Sequence, residues 1–181
     1  MLETLISSRT RIKLLLRLFL NPNSTAYLRG MAEEFNESTN AIRLELNRFE
    51  DAGMLMSKNE GNKKVYKANE QHPLFKDINN IVLKYLGIDS IIENVIKRAG
   101  NLHKVYLTGD YATGKDSGII DLLFIGEIDK AYLTNLISKA ESLIGKKVRY
   151  LVYNREEWNN YDQAGMNYGK NLLLWENKEF I

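Results

Sequence analysis

The chain has 181 residues, with 25 Lys+Arg against 23 Asp+Glu, 2 His, 2 Pro and no Cys. Without a thiol it has no disulfide framework, no Cys-ligated zinc or iron–sulfur site and no Cys nucleophile. His72 and His103 lie far apart in sequence and make no three-His metal centre by themselves. A hydrophobic share of 44% with 27% charged residues is that of a globular chain, long enough for one medium domain or two small ones.

No stretch reaches the roughly 18 uninterrupted apolar residues that a membrane helix needs. The run from Ile12 to Leu20 is broken by Lys13 and Arg17 and lacks a signal-peptide cleavage site. A cytoplasmic location with no membrane partner is therefore expected. The net charge of +2 is uneven: residues 1–70 hold 11 Lys+Arg and 9 Asp+Glu, and residues 58–67 alone hold four Lys and one Glu.

Residues 4–20 carry Leu5, Ile6, Ile12, Leu15, Leu16 and Phe19 near helical spacing, and Asn21-Pro22-Asn23 stops that helix. Ser24 or Thr25 is expected to cap a second helix carrying Tyr27, Leu28, Met31, Ala32 and Phe35. Ser38 caps a third, with Ala41, Ile42, Leu46 and Phe49 on one side and Gly53 at its end. Met54-Leu55-Met56 reads as a strand, 59–62 as a turn, and Lys63 to Lys67 as a returning strand. Residues 74–99 read as two linking helices interrupted at Gly87, apolar enough to be core or a dimer surface.

After Gly100 strands alternate with helices. Strands are expected at 105–108, 119–125 and 148–153, and a helix from Tyr132 to Leu143 ends at Gly145. Residues 155–175 read as mainly helical, with a short strand at 177–181. The fold class expected is α+β in two domains: 1–70, linking and dimerising helices over 71–100, and an α/β domain over 101–181.

Helix, helix–turn–helix and a two-stranded hairpin make a winged-helix layout. The phrase STNAIRLELNRFEDAGML, Ser38 to Leu55, resembles the recognition helix of bacterial winged-helix regulators. That resemblance implies contacts to double-stranded DNA from Ser38, Thr39, Asn40, Arg43 and Asn47, and from Lys63 and Lys64 after the turn. Arg43 is the base-reading candidate, because Arg pairs bidentately with guanine. Arg29, Lys58 and Arg48 are weaker backbone candidates. The plainer reading is a solvated helix with Ser38 as its cap and edge-strand lysines that block aggregation.

The segment GDYATGKDSGIIDLLFIG, Gly109 to Gly126, resembles the signature of the nucleotidyltransferase superfamily. There a strand ends in Gly-Ser, and the next strand carries two carboxylates one residue apart. Alternation puts such a pair on one face, where it holds Mg²⁺ with the triphosphate. Gly109 matches, Asp110 stands at the Ser, and Asp121 matches the second carboxylate. Ile119 stands at the first, and Val148 to Tyr153 supplies no third acid. Asp110 would place negative charge where phosphate belongs.

The two resemblances, with VRYLVYNREEW over Val148 to Trp158, together look like a group of prokaryotic transcriptional regulators. They imply a DNA-binding homodimer whose second domain is a degenerate nucleotide site at Gly109, Asp110 and Asp121. That domain is expected to be no enzyme, to take no cofactor or metal, and to serve sensing or assembly with a nucleotide or small-molecule effector. The alternatives are an active nucleotidyltransferase acting on a protein or small molecule, and an antitoxin-like protein-binding module. Trp158, Tyr161, Tyr168 and Trp175 read as packing or as a stacking surface for a base.

Overall fold

The computed structural model describes residues 2–163 and 171–177, with side chains for 4–160 and 171–177. The chain divides into two compact units. One holds Met1–Tyr85 with Gly114–Asp116, the other Leu86–Thr113 with Ser117–Ile181. The division falls inside the stretch expected to link two domains. Helix α5 (Phe75–Tyr85) belongs to the first unit and helix α6 (Ile88–Arg98) to the second.

In the first unit the expected opening helix is two. α1 covers Leu2–Leu5, and α2 covers Arg9–Phe19 with Ser8 as N-cap, its hydroxyl accepting from the Arg11 amide at 3.2 Å. The next helix, α3, is Leu28–Phe35, not a helix capped at Ser24 or Thr25. Ala26–Tyr27 form a short strand, β1, and the Ser24 hydroxyl is engaged by the Arg17 guanidinium and backbone carbonyl instead. With Ser24 so bound, the cap position falls to Tyr27, which makes no side-chain cap bond. Asn36 ends α3 in the left-handed conformation, at φ 53°.

Helix α4 spans Thr39–Asp51, and the Ser38 hydroxyl accepts from the Ala41 amide at 3.1 Å. Its inward side carries Ile42, Leu46 and Phe49, with Phe19 of α2 against Phe49 at 5.8 Å between ring centres. Strands β2 (Leu55–Glu60) and β3 (Lys63–Ala68) pair antiparallel and run longer than the sequence suggested. The turn between them is two residues, and its first, Gly61, takes φ +57°, which a side chain disfavours. β1 joins the other edge of β3, giving the order β1-β3-β2.

In the second unit the sheet order is β6-β5-β4-β7. β4 is Gly100–Thr108, β5 Ile119–Ile128, β6 Lys147–Tyr153 and β7 Leu172–Glu176. β4–β5 and β4–β7 are antiparallel; β5–β6 is parallel, as a crossover through helix α8 (Lys130–Ile144) requires. Ile120, Leu122 and Phe124 alternate onto one face of β5 and are 0–2% exposed. Each such side chain contributes about 1.5–3 kcal/mol through burial. Helix α6 packs on β4 and α8, and α8 on β6. A short helix, α7, follows β4 at Gly109–Ala112.

The expected helix over 155–175 is corrected. Helix α9 is Arg155–Gln163, and Leu172–Glu176 is a strand that fills the open edge of β4. An unpaired edge is costly, and an apolar run beside it satisfies the ladder. Trp175 lies in register with Val105. The Trp158 ring stacks on Tyr106 at 5.5 Å and lies 6.4 Å from Tyr153. The side chains of Tyr161 and Tyr168, read as stacking groups, lie outside the described residues, as do positions 178–181 of the strand expected at 177–181; Asn177 is not in a strand. Among the described residues no helix is long and apolar enough to cross a membrane.

Two candidate sites: a basic concavity and an aspartate–arginine pair

The first candidate lies within the first unit. A cavity of about 660 Å³ is lined by Tyr27, Arg29, Arg43, Asn47, Lys63 and Lys64, together with Leu28, Asn62 and Tyr66. Four of the residues singled out from sequence, Arg43, Asn47, Lys63 and Lys64, thus come together from α4 and β3. Ser38, Thr39 and Asn40 are exposed at the start of α4 and do not line the cavity. Ser38 acts as the helix cap. Arg29, on α3, belongs to the lining, whereas Lys58 and Arg48 do not. Lys58 pairs with Glu60 at 2.5 Å and Arg48 with Glu45 at 3.0 Å.

The cations are not equivalent. The Lys63 ammonium lies 4.2 Å from the centre of the Tyr27 ring. The Lys64 ammonium is bound by Glu50 at 2.7 Å and lies 5.2 Å from the Tyr66 ring centre. The hydrogen bond to Glu50 holds the Lys64 pKa above its ordinary value, and bonds from Lys64 and Ser57 hold the Glu50 carboxyl below its own. A phosphate must therefore compete with Glu50 for Lys64.

Sequence reasoning missed Leu44. It is 52% exposed and stands on the outward side of α4 beside Asn40 and Asn47, four and three residues away. The signal was present: Leu44 falls out of register with Ile42, Leu46 and Phe49.

The second candidate lies within the second unit. Asp121 on β5 pairs in register with Thr108 of β4 and Arg149 of β6. Residues in register share a face. The Arg149 guanidinium donates to both carboxylate oxygens of Asp121, Nε at 2.6 Å and Nη2 at 2.9 Å. That pairing raises the Arg149 pKa, with a smaller contribution from the charge of Asp110. A cavity of about 350 Å³ is lined by Thr108, Asp121, Arg149, Tyr150, Leu151 and Tyr153, with Leu122 and Leu123.

Gly109 takes φ +65°, and a Cβ there would lie 2.5 Å from Asp121 Oδ2. The motif glycine is thus required by backbone shape and by the closeness of the carboxylate. Asp110 is exposed, and its carbonyl accepts from the Thr113 hydroxyl at 2.8 Å. Ile119 is in register with Lys147, so a basic side chain lies opposite the first acid position. Among the described residues no group of three His, Cys, Asp or Glu is placed to hold a metal ion. Chemically, the pair offers an oriented guanidinium at the edge of a small cavity, with both oxygens of its carboxylate engaged.

No family model and no curated protein matches the chain. Two solved structures are similar over about half of it. One is a protein from Archaeoglobus fulgidus, 19% identical, TM-score 0.38, over 52% of this chain and 99% of that one. The other is a presumed nucleotidyltransferase from Sulfolobus solfataricus, 24% identical, TM-score 0.37, over 54% of this chain and 85% of that one. Likeness of this size assigns neither a reaction nor a site. The expectation that the chain is no enzyme is nevertheless corrected. It rested on two absent acids, one at Ile119 in the motif and one on the later strand at 148–153, and a presumed nucleotidyltransferase stands among the structures the chain is similar to. The chain is a mixed α+β protein with such a neighbour over half its length.

Proposed function

We propose that the first unit binds double-stranded DNA in the manner of a winged helix and that the chain acts as a transcriptional regulator. The observation that carries this reading is the convergence of Arg29, Arg43, Asn47, Lys63 and Lys64 on one concave surface. They come from α3, α4 and β3. Cations brought together from distant parts of a chain with net charge +2 form a local positive patch, which is what phosphate attracts. α4 is the element for the major groove, and the β2–β3 hairpin the one for the flanking backbone. A homodimer would present two copies of α4 to a two-fold operator.

Selection of bound sequences from random DNA tests this. A reproducible consensus, palindromic for a dimer, is the expected result. Enrichment of no sequence, with no retention of bulk duplex at low salt, would end the reading.

A second reading, nucleotidyl transfer to a protein or small molecule, is favoured by the Gly109–Asp121 frame and the cavity beside it. Labelled nucleoside triphosphates with Mg²⁺ or Mn²⁺ test it. Label transfer abolished by Asp121→Asn would establish it; no transfer by the wild-type chain would remove it.

A further inference from the structure

Strand β6 lies at one edge of the four-stranded sheet, with β5 on its inner side. Successive residues of a strand turn their backbone N–H and C=O to opposite edges. The Lys147 amide donates to the Gly118 carbonyl at 3.0 Å, just ahead of β5. Lys147, Arg149, Leu151 and Tyr153 therefore pair toward β5, and Val148, Tyr150 and Val152 turn their backbone groups outward.

Both ends of this outward row are closed. The Val148 amide donates to the Glu141 carboxylate at 2.8 Å, and the Asn154 amide to the Glu157 carboxylate at 2.8 Å. Between them, among the described residues, the outward N–H and C=O of Tyr150 and Val152 have no hydrogen-bond partner. They form a short open window in an edge that has no proline and no bulge. An edge of this kind is a template for another strand.

The window is complementary to a second copy of itself. Antiparallel pairing about Leu151 sets Tyr150 of each copy opposite Val152 of the other, and every open group is then paired. A centre at Tyr150 or at Val152 would instead call on the Val148 or the Asn154 amide, which Glu141 and Glu157 already hold. The side chains agree with the Leu151 register. Leu151 is 52% exposed and meets its own copy at a non-hydrogen-bonded position, where facing side chains are closest. Arg149 falls opposite Tyr153 and not opposite another cation. Tyr150 falls opposite Val152, an aromatic–β-branched pair.

We infer that two copies of this chain pair antiparallel through β6 about Leu151, so that their sheets become continuous. The dimer contact then lies on β6 and not on the helices over 71–100. The inference does not depend on DNA binding.

The chain has no Cys, so one introduced thiol reports on one place. In the full chain, Leu151→Cys is expected to form a disulfide between copies under mild oxidation, because Cα atoms facing at such a position lie about 4.5 Å apart, within reach of that bond. Leu173→Cys, also exposed but on β7, should stay mostly uncrosslinked on the same non-reducing gel. Sedimentation equilibrium should give a wild-type dimer. Leu151→Lys and Leu151→Glu should each weaken it at least about tenfold, and mixing the two should restore a heterodimer. Circular dichroism melts check that both variants fold. A monomeric wild type would overturn the inference. So would equal crosslinking of the two Cys variants, or a dimer that Leu151→Lys leaves intact and Ile81→Glu dissolves.

Discussion

Arg149 stands directly across from Asp121 on neighbouring parallel strands and engages both of its carboxylate oxygens. A guanidinium thus occupies the place where a divalent cation would approach Asp121. Arg149→Asp would set two carboxylates opposite each other, about 5 Å apart across the strand spacing. Mn²⁺ affinity, followed by electron paramagnetic resonance, is expected to rise at least about tenfold in this variant, since two acids hold a hard cation better than one. Unchanged Mn²⁺ affinity would mean that Arg149 does not control access to Asp121. Arg149 is 69% exposed, so Arg149→Ala is expected to leave the thermal melt close to that of wild type.

The basic concavity separates base reading from backbone contact. Arg43→Ala is expected to cost about 1–3 kcal/mol on a selected site and to relax the sequence preference. Lys63→Ala should weaken all duplexes alike and lower the salt slope by about 1. Lys64→Ala should do less, because its ammonium is already bound to Glu50. Fluorescence anisotropy at several salt concentrations checks all three.

Leu44 carries a sharper test. An exposed apolar side chain between Asn40 and Asn47 suits the methyl group of thymine. Deoxyuridine in place of the critical thymine should weaken wild-type binding by about 1 kcal/mol and leave Leu44→Ala indifferent. Equal losses in both proteins would place the thymine contact elsewhere.

Glu45 ties α4 to α2 through Arg11. Burial pushes its pKa up, but hydrogen bonding from Arg11 and the charges of Arg11 and Arg48 outweigh this. Its folded pKa lies below its ordinary value of 4.5, so its stabilisation is complete above that value and is lost as pH falls through the folded pKa. Glu45→Gln is expected to cost about 1–2 kcal/mol near pH 7. This is below the 3–5 of a fully buried pair, because Arg11 is 37% and Arg48 63% exposed. Urea melts from pH 7 to pH 3 should show the gap between wild type and variant closing toward the acid end.

Gly109→Ala should destabilise the second unit by about 1–3 kcal/mol. The new Cβ meets both a positive φ and the Asp121 carboxylate. A thermal melt unchanged from wild type would show that the loop relaxes freely.

Sequence alone determined the local structure wherever a cap or a period left one reading. Ser38 and the Ile42–Leu46–Phe49 spacing gave α4, Gly145 closed α8, and the alternation around Gly61 gave a hairpin. It also supplied Asp121, the empty acid positions around it, and the cations of the hairpin. Tertiary structure decided what depends on partners distant in the chain. Ser24 lost its expected cap role because the Arg17 guanidinium claims it. Residues 172–176 became a strand because β4 had an open edge. Arg149 reads as an ordinary strand residue until the β5–β6 register sets it opposite Asp121. Leu44 and the open window on β6 became visible only once packing and strand pairing had settled which groups stay uncovered. Caps and periods act over one turn or one strand, whereas registers and cavities are set by contacts between segments far apart in sequence.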